Sequence, residues 1–148
     1  MSKPSQQLAE LLTYLSQANL PSELTWQGWR IQRIGGGQNN LLYHANGPGG
    51  DFAIKCTIRD KRDRAGREYA ALRALRAAGL AIAPSPLLLD RTSYPQPVIV
   101  QTWLPGEVSA RPPSGDDEWL ALLEHYAAIH SVVPGGNGVR LRRAVMNM

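Results

Sequence analysis

The chain has 148 residues, a net charge of +4 and 43% hydrophobic residues. That length can bury a core of ordinary size, and so small a charge does not single out nucleic acid among polyanionic partners. The single cysteine, Cys56, excludes a disulfide or a cysteine-rich metal cluster within these residues.

Leu8, Leu11, Leu12 and Leu15 recur at helical spacing among polar residues, and predict an amphipathic helix over residues 5–18 that Pro21 closes. This is a core-packing pattern, neither a secretion signal nor a membrane span, so no membrane partner and a cytoplasmic location are expected. Residues 29–34 then read as a strand, followed by a glycine-rich turn and a returning strand over 41–45. The turn formers Asn46, Gly47, Pro48, Gly49 and Gly50 lead into a third strand over 51–58. A charged connection follows, then a helix over 64–78 that Gly79 suits as a C-terminal cap. Pro84 and Pro86 force an extended path into short strands over 87–89 and 98–102. Leu104, Pro105 and Gly106 break the last strand, and residues 107–115 read as a linker. The final helix, over 116–132, starts with Asp116, Asp117 and Glu118, where acids favour the helix dipole. Its Trp119, Leu122, Leu123, Tyr126 and Ile129 call for a partner surface. A Gly-rich stretch and a basic cluster of Arg140, Arg142 and Arg143 come after Pro134.

Three features carry chemistry. The first is the turn Gly35-Gly36-Gly37-Gln38-Asn39-Asn40, where glycines let backbone N–H groups approach a phosphate closely. The second is the strand Phe52-Ala53-Ile54-Lys55-Cys56. Period-two alternation puts Ala53 and Lys55 on one face, so a small residue leaves room for a base while a cation reaches toward its phosphates. The third is Glu68 on the following helix, a counter-ion that would hold the ammonium in place. Taken singly, these read equally as a flexible hairpin, an edge-strand lysine and a solvated helical carboxylate. Their order gives them their meaning.

The basic run Arg59, Lys61, Arg62, Arg64 and Arg67 is interleaved with Asp60, Asp63 and Glu68. It lacks the aromatic platform of a single-strand binder, and reads as a solvated helix entrance rather than a nucleic-acid surface. His125 and His130 are five residues apart, off the four-residue spacing of a helical metal pair. With His44 they read as surface or core-edge histidines.

The chain resembles the aminoglycoside phosphotransferase and choline kinase-like family, which has a protein-kinase-like fold. The carriers are Gly36-Gly37-Gln38-Asn39-Asn40-Leu41-Leu42-Tyr43, similar to that family's Gly-rich turn, and Arg67-Glu68-Tyr69-x-x-Leu72, similar to its helix motif. Val100-Gln101-Thr102-Trp103-Leu104-Pro105-Gly106 resembles its hinge, and residues 122–131 its helix ending in Leu-x-x-Leu-His. Phe-Ala-Ile-Lys is also close to the kinase pattern Val-Ala-Ile-Lys.

The resemblance implies an α+β fold: a kinase-like N-lobe with a five-stranded antiparallel sheet and one crossing helix, plus an N-terminal helix and the first helix of a helical C-lobe. The implied division is 1–28 as a helical extension, 29–104 as the nucleotide-binding lobe, and 105–148 as linker and incomplete C-lobe. It also implies a nucleotide site made of Gly35, Gly36, Gly37, Gln38, Asn39, Asn40, Ala53, Lys55, Glu68, Gln101, Thr102 and Leu104. Backbone groups of Thr102 and Leu104 would bond the base, and Gln101 would stand behind it as gatekeeper, where the family usually has an apolar residue.

By the same resemblance, ATP or GTP is the phosphate donor and a small-molecule alcohol the acceptor. Mg2+ is expected only in a complete enzyme. Phosphoryl transfer needs a carboxylate to orient the hydroxyl, and ligands for magnesium. No acidic residue follows Glu124, so the family's catalytic loop has no match and no catalytic residue is assigned. The chain is therefore expected to be a truncated or split member, inactive alone, with a separate helical lobe as partner. The alternatives are a non-catalytic nucleotide- or partner-binding pseudo-lobe and, more remotely, a small basic nucleic-acid binder.

Overall fold

The computed structural model describes residues 4–17, 19–35, 40–106 and 111–132. Their elements are α1 (Pro4–Leu15), β1 (Glu23–Trp26), β2 (Trp29–Arg33), β3 (Leu41–Gly47), β4 (Gly50–Cys56), α2 (Arg64–Ala77), β5 (Pro86–Asp90), β6 (Val98–Thr102) and α3 (Asp116–His130). The strands form one sheet in the order β1-β2-β3-β4-β6-β5, with every neighbouring pair antiparallel.

The sheet has six strands, not the five expected. The extra strand is β1, which pairs Leu24 with Ile31 and Trp26 with Trp29. Gln27 and Gly28 make the connecting turn with φ of 46° and 85°. Positive φ at both central residues is the two-residue hairpin geometry that matches strand twist. Tyr14 of α1 stacks on Trp26 at 4.5 Å, so the hairpin is also held from outside.

The alternation of each strand divides the sheet into two faces. One face carries Trp29, Ile31, Tyr43, Ala45, Ile54, Cys56, Val98 and Val100. Leu11, Leu12 and Leu15 of α1 join that cluster and are at most 4% exposed. The α1 leucines are thus core residues, as their spacing predicts. The helix ends at Leu15 rather than residue 18, where the Ser16 hydroxyl donates back to the Leu12 carbonyl at 2.8 Å.

The opposite face carries Ala53, Lys55, Ile99 and Gln101, and α2 packs on this side against β5 and β6. The end of α2 is fixed by a Schellman turn: Leu80 N–H donates to Leu75 O at 3.1 Å and Gly79 N–H to Arg76 O at 3.0 Å, with Gly79 at φ 76°. Its start is tied to the end of β5 by the Arg91–Asp63 ion pair at 3.0 Å. The Arg91 guanidinium holds the Asp63 carboxyl below its ordinary range. A side chain at Gly66 would collide with both partners of that pair. Among the described residues α3 has no buried side chain, and Trp119, Leu120, Leu123 and Tyr126 are each about half exposed.

Candidate functional site

Strand β4 presents Lys55 to α2, and Lys55 Nζ donates to Glu68 Oε1 at 2.6 Å. This is the ion pair that the strand-to-helix order predicts. The two side chains keep 33% and 32% of their surface exposed, so a ligand can reach them. The ammonium is fixed in position without being sealed off.

Ala53 lies two residues before Lys55 on the same face and is 6% exposed. Cross-strand pairing sets His44 on one side of it and Gln101 on the other. Ile34 N–H donates to Leu42 O at 2.8 Å, closing the base of the glycine-rich turn. Gly35 takes φ 49° with open space around it, and Asn40 is exposed. Gly36, Gly37, Gln38 and Asn39 lie outside the described residues.

The far wall is the end of β6. Gln101 is 7% exposed and its Oε1 has no hydrogen-bond partner. Thr102 is anchored to the loop before β5: its N–H donates to Ser85 O at 3.0 Å and its hydroxyl accepts Ser85 N–H at 2.9 Å. Thr102 and Leu104 line one side of a cavity of about 420 Å³, with Leu72, Leu75, Leu80 and Pro84 opposite. The structure thus gathers Ala53, Lys55, Glu68 and Gln101 on one face, with Thr102 and Leu104 at its edge.

An aromatic stack was not foreseen from sequence. Trp103 lies parallel to the His44 ring at 3.7 Å between centroids, and His44 Nε2 is bonded to Asp51 Oδ1. Trp103 N–H also donates to Asp51 O at 3.1 Å. The sequence signal was the two-residue step from Gln101 to Trp103, which puts both on one strand face. A groove of about 660 Å³ also borders His44, lined with it by Thr25, Arg30, Gln32 and Asn46. It shares His44 with the Lys55 face but is not centred on Lys55.

Among the described residues no three His, Cys, Asp or Glu groups cluster as metal ligands. Glu68, the carboxylate nearest the site's cation, is already engaged by Lys55. The described residues therefore do not fit a magnesium centre.

The sequence matches the phosphotransferase enzyme family over residues 30–146. No curated protein shows significant similarity to it. Among solved structures, the chain is similar in fold to a spectinomycin phosphotransferase, APH(9)-Ia, determined in complex with ADP and spectinomycin. The TM-score is 0.58 at 19% identity, over 86% of this chain and 38% of that one. The chain thus spans well under half the length of that protein, and the likeness extends to the fold, an α+β kinase-like sheet and helices. With the family match running from β2 through α3, the chain belongs to the phosphotransferase enzyme family.

Proposed function

We propose that this chain is the nucleotide-binding half of a small-molecule phosphotransferase that moves the γ-phosphoryl group of ATP or GTP to a substrate hydroxyl. The observation that carries the reading is the Lys55–Glu68 pair at 2.6 Å on the face shared with Ala53. In this proposal Lys55 neutralises the phosphates and Glu68 fixes its ammonium. Such positioning is much of what a protein contributes to phosphoryl transfer. Ala53 leaves room for the base, and the Thr102 carbonyl and Leu104 N–H take its edge. The turn from Gly35 to Asn40 covers the phosphates. The related solved enzyme contains ADP and spectinomycin, which supports a nucleotide and a small alcohol as partners.

The hydroxyl-orienting carboxylate and the magnesium ligands must come from outside the described residues. A helical lobe is proposed to supply them, docking on the apolar residues of α3. By this reading residues 1–148 alone bind nucleotide weakly and do not turn over. A second reading, a partner-binding pseudo-lobe without catalysis, draws on the same exposed Trp119, Leu120, Leu123 and Tyr126. Among the described residues no helix is long and apolar enough to cross a membrane. A cytoplasmic site, where ATP and GTP are abundant, suits the proposal.

The test is calorimetric titration of the chain with ATP and GTP, with and without magnesium, in wild type and Lys55→Ala. Lys55-dependent binding is expected. Tight binding that ignores Lys55→Ala would refute the site. Turnover of an aminoglycoside or amino-alcohol panel by residues 1–148, abolished in Lys55→Ala, would refute the need for a further lobe.

A further inference from the structure

We infer that the chain forms a two-fold dimer in which α3 of each copy lies in the apolar groove beside α2 of the other. This goes beyond the function proposed above and is independent of the nucleotide site. Helix α3 carries its large apolar side chains outside. Trp119, Leu120, Leu123 and Tyr126 are each about half exposed, and no α3 side chain is buried among the described residues. Helical spacing puts these four on one face, with Asp116, Asp117 and Glu124 along one edge of it. An exposed apolar stripe with a polar margin marks a contact surface.

The same molecule has an open groove to receive such a stripe. It holds about 420 Å³ between the C-terminal turn of α2 and the end of β6, walled by Leu72, Leu75, Leu80, Pro84 and Leu104. Leu104 is 51% exposed. Gly79 also lines the groove, and a Cβ there would meet nothing within 4 Å, so a helix can approach closely and an indole ring can enter. The stripe does not fill its own chain's groove, since both stand open in one structure.

Charge shows which surfaces meet. Helix α2 carries Arg64, Arg67, Arg73 and Arg76 against Glu68 alone. Helix α3 carries Asp116, Asp117, Glu118 and Glu124, and neither lysine nor arginine. Arg111 holds Glu118, and the other three acids edge the stripe. Arg76 stands on the rim of the groove, with Arg73 one turn before it. A stripe edged by acids thus fits a groove edged by arginines, and opposed charges of this kind steer and register a contact. Because one chain carries both halves, two copies about a two-fold axis fill both grooves and cover both stripes, and the assembly closes. The helical lobe proposed above would dock on the same stripe, so dimer and lobe exclude one another.

The experiment is sedimentation equilibrium of residues 1–148 across the micromolar range, at low and high salt. Two charge-reversed proteins are run beside it, Arg73→Glu with Arg76→Glu, and Asp117→Lys with Glu124→Lys; all four side chains are exposed, so the fold should survive. Wild type is expected to be a dimer that loosens in salt. Each reversed protein alone should dissociate at least about tenfold more readily, because like charges then face each other. An equimolar mixture of the two should recover the wild-type dimer, since every groove then meets a stripe of opposite charge. Lys55→Ala should dimerise as wild type does, so failed nucleotide binding and failed dimerisation are separate results. Wild type that stays monomeric throughout overturns the inference. So does association that grows past the dimer, that ignores both reversals, or that the mixture fails to restore.

Discussion

Alanine at Lys55, at Glu68 and at both positions makes a cycle that isolates their interaction. The groups meet at 2.6 Å with about a third of each side chain in water. At that separation the bare attraction is about 6 kcal/mol in an effective dielectric of about 20. Desolvation and the freezing of two long side chains cancel most of it, and exposed pairs retain about 0.2–1 kcal/mol. Partial burial puts this pair at the upper end, about 1 kcal/mol. Urea unfolding of the four proteins at pH 7 and low salt should give a coupling of that size, and it should shrink in high salt. Either single variant then stays folded, so a loss of nucleotide binding in Lys55→Ala reports the site and not the fold. A coupling of zero would refute the pairing. A coupling above about 3 kcal/mol would refute the view of it as accessible and place it among buried structural pairs.

Three further outcomes are expected. A methyl at Gly47 would lie 2.7 Å from Cε3 of Trp29, a ring only 2% exposed, so Gly47→Ala should lose about 1–3 kcal/mol. An unchanged urea midpoint would count against that packing. Leu12→Ala, in the core beneath the sheet, should lose about 2–5 kcal/mol, and a near-neutral result would mean that α1 does not seal the sheet. Burial pushes the Cys56 thiol up from 9.0 to about 11. The unfolded chain therefore ionises first, and this contribution to stability is present below pH 9 and lost as pH rises toward 11. At pH 8 the thiol should resist alkylation until urea is added, and fast labelling of the native protein would contradict its burial.

Much of this architecture can be read from the residues. Strand β6 runs Val98–Thr102, the predicted span, because its apolar run is bounded by Pro97 and the Leu-Pro-Gly break. The Lys55–Glu68 pair was legible because a strand face and a helix turn fix where each side chain points. Strand β1 was not. It is four residues long, Glu23 and Thr25 are exposed, and its turn uses Gln27 at φ 46° where Asn or Asp would have signalled a hairpin. The Trp103–His44 stack and the unpaired Gln101 oxygen were hidden for a different reason. Both depend on register between strands far apart in sequence, and on burial that only the assembled sheet creates.

The strand order also has a temporal side. From β1 to β4 each strand pairs with the one made just before it, and Glu68 follows Lys55 by thirteen residues. These are short-range closures, which form fastest and can form while a chain is still emerging from the ribosome. Strand β6 is the late arrival: it must slot between β4 and β5, matching Cys56 to Val98 across the whole of α2 and β5. The cation and its carboxylate can thus meet before the wall carrying Gln101 and Thr102 exists. An arrested nascent chain ending before β6 would hold the Lys55–Glu68 pair without the strand that carries Gln101 and Thr102.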